Sequence, residues 1–303
     1  MSAYEVAIRV VDDTGANVTD ANVTIDFVGY IQGSGKAYRG VTGDDGMFRA
    51  NGNAQHSVFV VANKTGHYEA RLDRLSKDRN IDMTVVVPRI LNPVPLYLFQ
   101  ANPAIPVQNE WVGYDFEAGD WVAPFGVGRI TDLRVRYSNT FLGWKFSEKE
   151  LAHIRHVNRD ESEEIIRNIY GKWDAVMDIS FPGEKEGMHE ELRFLEYSKL
   201  ELPHTAPADG YQPTWRYERK NYQPPTTRDN VGFFLRTRVK LDPDGKIISA
   251  NYAKLIGDIR FAHTGVLIFT YYYNPTPNDR NLEFDPKHNL FPADRPGANV
   301  HDP

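Results

Sequence analysis

Apolar and polar positions alternate through the first ninety residues. Val6, Ile8 and Val10 point one way while Glu5, Ala7, Arg9 and Val11 point the other, the period of two that a half-buried strand requires. Val23, Ile25 and Phe27 repeat the pattern with Thr24 and Asp26 outward, predicting a strand over 22–28. Residues 57–62 add Val58, Phe59, Val60 and Val61 as core volume, and 83–87 form a last strand that Pro88 ends. Asp12-Asp13-Thr14-Gly15 and Asp44-Asp45-Gly46 are turn chemistry, because Asp caps its own backbone and Gly accepts positive φ. Short strands at this spacing predict a sandwich.

The pattern changes after Pro88. Pro88, Pro93 and Pro95 stiffen a connector over 89–96, and Leu96-Tyr97-Leu98-Phe99 resumes as strand. The expected organisation is a sandwich over 1–88, the connector, and a β-rich domain over 97–303. Helices enter once, near 148–170. Ser147-Glu148-Lys149-Glu150 is a capping box, and Asp160-Glu161-Ser162-Glu163 is its Asp-headed analogue. Leu151, Ile154 and Val157 form the apolar stripe of the first helix; Ile165, Ile166, Ile169 and Tyr170 form that of the second, with Gly171 as terminator. Residues 182–230 read as irregular, with a long loop over 204–225.

Strands return at 232–241, where Phe233, Leu235, Thr237, Val239 and Leu241 are expected inward and Phe234, Arg236, Arg238 and Lys240 outward, the basic row reading as a solvated face. Asp242-Pro243-Asp244-Gly245 is a hairpin turn, and 247–260 returns with a kink at Gly257. Residues 266–273 are apolar on both faces, so that strand belongs at the centre of a covered sheet. The Pro-rich end predicts an extended strap over the sheet.

Composition narrows the classes. The chain has 303 residues, 41% hydrophobic and 25% charged, which is ordinary for a globular protein. A net charge of −6 argues against nucleic acid as partner. No apolar stretch approaches the roughly 18 residues of a membrane span. Cysteine is absent, which excludes disulfides, thiolate nucleophiles and Cys-ligated metals and leaves the compartment open. No G-x-S-x-G, Walker, Rossmann, H-E-x-x-H or kinase motif is present, so no catalytic residue and no cofactor is assigned.

Three groups of side chains are candidates for function. Residues 111–126 are the densest aromatic and acidic segment. Trp111, Tyr114 and Trp121 beside Asp115 and Asp120 are what sugar binding needs, rings for C–H faces and carboxylates for hydroxyls. The plainer reading is a hairpin whose aromatics fill the core, turning at Gly119-Asp120 or Gly126. Tyr211, Trp215, Tyr217 and Tyr222 either rim the long loop or pin it down. Glu150, His153 and His156, with Asp160 following, would share one arc of a continuing helix and offer a metal two imidazoles and a carboxylate; solvated polar residues bordering an apolar stripe read the same way.

The first module resembles the carboxypeptidase regulatory-like (transthyretin-like) domains, on Asp12 to Gly15, Ala21-Asn22-Val23-Thr24-Ile25, Thr42-Gly43-Asp44-Asp45-Gly46-Met47-Phe48 and Gly66-His67-Tyr68. Val18 stands where that family usually has Pro before the second strand. The resemblance covers about residues 4–87 and implies a seven-stranded sandwich with no catalytic residues. Gly119-Asp120-Trp121-Val122-Ala123-Pro124 and Asn274-Pro275-Thr276-Pro277-Asn278-Asp279-Arg280-Asn281 resemble a family of uncharacterised bacterial secreted proteins that couple such a module to a C-terminal β domain. Those relatives begin with a signal peptide, whereas this chain lacks a basic-then-apolar start, which leaves a trimmed chain or a non-Sec route.

The fold expected is therefore mainly β: an N-terminal Ig-like or transthyretin-like sandwich, then a larger antiparallel β domain with a small helical hairpin insertion. The function expected is a non-catalytic surface or extracytoplasmic protein that binds a glycan or a protein partner, or forms a homo-oligomer. The alternatives are a carbohydrate-active enzyme using acids near Asp115 and Asp120, and a virion or fibre subunit.

Overall fold

A computed structural model describes the chain except residues 1, 28–35, 55–56, 76–78, 194–197, 229 and 301–302. The last residue of the strand expected over 22–28 lies outside the described residues. The alternating N-terminal segments form β1 (Ser2–Val11), β2 (Asn22–Phe27), β3 (Lys36–Val41), β4 (Met47–Ala54), β5 (Ser57–Asn63), β6 (Ala70–Leu75) and β7 (Asn80–Val86). They make two sheets, β4-β1-β7 and β3-β2-β5-β6, with β1 and β7 parallel. Val6, Ile8, Val10, Val23, Ile25, Phe27, Val58 and Val60 fill the space between the sheets, as their period requires.

The rest of the chain builds β8 (Val94–Ala101), β9 (Trp111–Asp115), β10 (Asp120–Trp121), β11 (Leu133–Trp144), α1 (Glu148–Val157), α2 (Glu163–Tyr170), β12 (Gly171–Ser180), β13 (Gly187–Leu192), β14 (Thr214–Lys220), β15 (Val231–Leu241), β16 (Ile247–Phe261), β17 (Leu267–Asn274) and β18 (Phe284–Asn289). A five-stranded sheet, β10-β9-β11-β12-β14, packs on a six-stranded one, β13-β15-β16-β17-β8-β18. The protein is mainly β, antiparallel sandwiches with two short helices.

The six-stranded sheet is covered on both faces. Phe233, Leu235, Tyr271 and Tyr273 meet the five-stranded sheet. Phe234, Tyr272, Leu98 and Leu96 pack on the other side with Leu202, Leu282 and Phe284 from the flanking loops and the strap. β17 is central, as its two apolar faces demand.

Four local expectations are corrected. The basic row of β15 is not solvated: Arg236 is buried and donates to the carbonyls of Lys185 and Ala208. A bulge between Thr237 and Lys240, with Arg238 at φ 52°, turns Arg238 into the protein, where it meets Asp115, Glu117 and Asp132. Residues 182–230 contain β13 and β14, because Trp215, Tyr217 and Arg219 alternate with charged residues that mask the strand. Ser162, not Asp160, caps α2, and Gly171 (φ −77°) leads straight into β12. A side chain at Gly171 would strike the Arg167 carbonyl and the Phe141 ring, so tight packing requires glycine there. Of the helical stripes only Leu151 and Ile166 are buried, while Val157, Ile165 and Ile169 are exposed.

The connector is fixed to both sandwiches. Arg89 forks onto the Asp13 carboxylate at 2.9 and 2.9 Å, and its carbonyl lies 2.7 Å from His204 Nε2. Glu283, fully buried in the strap, accepts from the Tyr68 hydroxyl (2.8 Å) and from the Leu91 and Asn92 amides (2.9 and 2.7 Å). One carboxylate thus joins the first sandwich, the connector and the C-terminal strap.

Candidate functional site

Alternation in the five-stranded sheet sends Val112, Tyr114, Leu133, Val135, Tyr137, Ala175, Met177 and Ile179 to the core and leaves their neighbours on the outer face. Register then aligns four of those neighbours in one row across four strands. Trp111 on β9 pairs with Arg136 on β11, Arg136 with Asp178 on β12, and Asp178 with Arg216 on β14. Residues in register on adjacent strands project from the same face, so the row is continuous.

Its geometry is held from within. The Arg136 guanidinium lies over the Trp111 indole, 4.8 Å from the ring centre. Asp178 takes Arg136 Nη2 on one oxygen at 2.9 Å and Arg216 Nη1 on the other at 2.8 Å. The charge of Asp178, with the hydrogen bonds that Arg216 donates to Glu218 and Asp178, lifts the Arg216 pKa above its ordinary value. Trp111 keeps 42% of its surface exposed, an unusual outlay for the largest apolar side chain. A shallow cavity of about 370 Å³ runs along the Arg136–Asp178–Arg216 part of the row, lined also by Asn109, Ser138 and Val176. Exposed ion pairs add little to stability, about 0–1 kcal/mol each, so folding does not account for this row. It can offer a ring face to apolar C–H groups, and N–H donors and carboxylate oxygens to hydroxyls.

The other side chains expected to bind lie elsewhere. Tyr114 and Trp121 are buried, in edge-to-face contact at 5.3 Å, and Trp121 Nε1 donates to the Ala104 carbonyl. Buried rings cannot stack on a ligand; they are the core of the β9–β10 hairpin, which turns through Gly119 at φ 61°. Asp115 accepts four backbone amides, from Glu117, Ala118, Arg129 and Ile130, and faces Arg238 as well. Asp120 accepts the amides of Trp121 and Val127. Both carboxylates organise loops, and Asp115 has no lone pair left for acid–base work. Of the segment's candidates, Trp111 alone is exposed.

Trp215 and Tyr217 point inward from β14, Trp215 edge-to-face with Phe233 and the Tyr217 hydroxyl donating to Asp258. Burial, then the charge of Asp258, raises the Tyr217 pKa well above the phenol's usual value. Tyr211 lies under the Arg236 guanidinium at 4.3 Å and donates to the Pro207 carbonyl, while Tyr222 donates to Asp174. All four pin their segment down. The metal arc does not form: α1 ends at Val157 with Asn158 as C-cap, which puts Asp160 off the helix, and the Glu150 carboxylate is engaged by Ser147. His153 and His156 are exposed, and among the described residues no three His, Cys, Asp or Glu side chains converge for a metal.

Arg136, Asp178 and Arg216 escaped the sequence reading because a row across strands depends on register, which is set by bulges and loop lengths. The available signal was the run of charged residues at outward positions of three alternating strands.

No protein-family model matches the chain, and no curated protein does. Among solved structures it is similar to a DUF3823 family protein from Parabacteroides merdae ATCC 43184, at 8% identity and TM-score 0.24 over 88% of this chain and 95% of that one. It is also similar to a "putative carbohydrate binding protein" from Bacteroides uniformis ATCC 8492, at 9% identity and TM-score 0.22 over 91% of this chain and 98% of that one. Likeness at that level speaks to neither ligand nor activity, so function is argued from the side chains.

Proposed function

We propose that this protein is a non-catalytic glycan-binding protein whose ligand lies along the outer face of the five-stranded sheet. The observation that carries the reading is the row Trp111–Arg136–Asp178–Arg216, an exposed indole fixed by a guanidinium and followed in register by a doubly clamped carboxylate. Sugars present C–H faces to aromatic rings and hydroxyls to charged, forked partners, and both are supplied here on a rigid scaffold. An open sheet face suits an internal stretch of a polymer better than a chain end. The reading fits a surface or extracytoplasmic setting.

A glycan array with the intact chain, followed by titration of the best hit, tests it. Trp111→Ala and Asp178→Asn should each weaken binding by about tenfold or more, the scale of losing a central aromatic or charged contact. Both side chains lie outside the core, so the melting temperature should move little. Undiminished binding by both variants would sink the reading.

A further inference from the structure

β14 has a second side. It is the last strand of its sheet, so one edge of Tyr217–Lys220 has no partner strand among the described residues. Opposite stand residues 258–261 of β16, whose ladder with β15 stops at Gly232–Ile256. Gly257, at φ 77°, bulges the strand there before it rejoins β17 at Arg260–Ile268. The two unpaired edges and the loop carrying Pro224 and Pro225 enclose a slot of about 260 Å³.

Most polar groups in the slot are already committed. Asp258 accepts the Tyr217 hydroxyl on one oxygen and the Arg228 amide on the other. Asn221 accepts from the Trp173 amide and donates to the Gly171 carbonyl. Glu218 is paired with Arg216 around the outer face. Two cations remain. Arg219 points inward and lines the slot, and its Nε is shut off from water without an acceptor. Arg260 lines the same slot, and no carboxylate pairs with either among the described residues. A buried guanidinium N–H without an acceptor is costly, and a ligand oxygen would relieve that cost.

We propose that this slot binds a uronic acid residue of an acidic glycan, with Arg219 and Arg260 holding its carboxylate. Planar guanidinium forks match a planar carboxylate better than they match a neutral hydroxyl. The Tyr217 and Phe261 rings with Pro224 and Pro225 supply the apolar walls that a pyranose ring needs, and Thr227 adds a hydroxyl. The assignment rests on the glycan reading above and uses different residues, so the two can fail separately.

The test is calorimetric titration of the whole chain with tri-galacturonate and glucuronate, against galactotriose, glucose and inorganic phosphate. A uronate should bind at least about tenfold more tightly than its neutral counterpart and than phosphate. Arg219→Gln and Arg260→Gln should each weaken it about tenfold, and Arg136→Gln should not. Arg260 is exposed, so its variant keeps the test sound if Arg219→Gln folds poorly. Three results overturn the proposal: acidic and neutral sugars bind alike, phosphate competes as well as the uronates, or both Gln variants match the wild type. Absence of binding by either uronate at millimolar concentration overturns it too. If Trp111→Ala and Asp178→Asn leave neutral-glycan binding intact while Arg219→Gln abolishes uronate binding, the face reading falls and the slot stands; the reverse pattern removes the slot alone.

Discussion

One cation from each face of the six-stranded sheet, Arg238 and Lys254, is held away from water under opposite conditions. On the face toward the five-stranded sheet, Arg238 stands over Tyr273 and is met by Asp115, Glu117 and Asp132. Burial opposes its charge, but the hydrogen-bonded pair with Asp132 outweighs this and lifts its pKa above the ordinary value. On the opposite face Lys254 stands over Tyr272 at 4.4 Å, fully buried, and its Nζ has no hydrogen-bond partner among the described residues. Burial lowers its pKa to about 7, with Glu201 and Glu283 only partly offsetting the shift. The same sheet thus holds Arg238 by neutralising it with anions and Lys254 by easing the loss of its proton. Guanidinium cannot take the second route, and ammonium can.

The largest expected effect breaks the first arrangement. Arg238→Met strands Asp115 and Asp132 in the core, and should cost about 3–5 kcal/mol in urea unfolding. A loss under about 1 kcal/mol would show that the acids do not need the cation. Next is Lys254→Met, which removes a buried polar group without leaving a partner bare and should stabilise by about 1–4 kcal/mol at pH 7. The sign of its pH dependence follows from the depressed pKa. Between about 7 and 10.5 the unfolded chain holds a proton on Lys254 that the folded chain has lost, so this group's contribution to stability rises with pH across that window. The variant's advantage should therefore be full at pH 7 and shrink toward pH 10.5; an advantage independent of pH would mean that Lys254 stays charged.

A smaller effect reaches the Lys254 side through Glu283. Tyr68→Phe deletes one of the hydrogen bonds to that carboxylate and should cost about 1.5–3 kcal/mol, read as a lower denaturation midpoint. Smallest is Glu117→Gln. That side chain is 37% exposed, so solvent screens its pairing with Arg238 and the loss should stay within about 1 kcal/mol. A larger loss would make Glu117 an equal of Asp132 in the network.

The first sandwich was the more legible of the two. Val6, Ile8 and Val10 obey a period of two, and the turns at Gly15 and Gly46 have the positive φ that their sequences call for. The capping box at Ser147 and the bulge at Gly257 were legible for the same reason, since each is set by neighbours in sequence. Arg238 was not. Its outward parity was correct up to Thr237, and a two-residue bulge reversed it, which no local rule announces. β14 was hidden because its inward face carries Arg219 among the aromatics and its outward face is polar throughout. Trp111 was the most exposed of the candidate aromatics, and its partners come from strands up to about a hundred residues away, beyond the reach of spacing arguments.

Glu283 bears on how the chain can be divided. The prolines after residue 88 invite a cut between the sandwiches, yet the carboxylate draws its three short donors from both sides of that cut. A first-half fragment would carry Tyr68 with its acceptor gone. A second-half fragment would carry the Glu283 carboxylate beside His204 without the Tyr68 donor, in a crevice opened to water. Each piece would gain a sticky, mismatched end that the intact chain never shows. The seam is a joint rather than a tether: one buried carboxylate is shared across it, and neither half can be cut free without baring part of that contact.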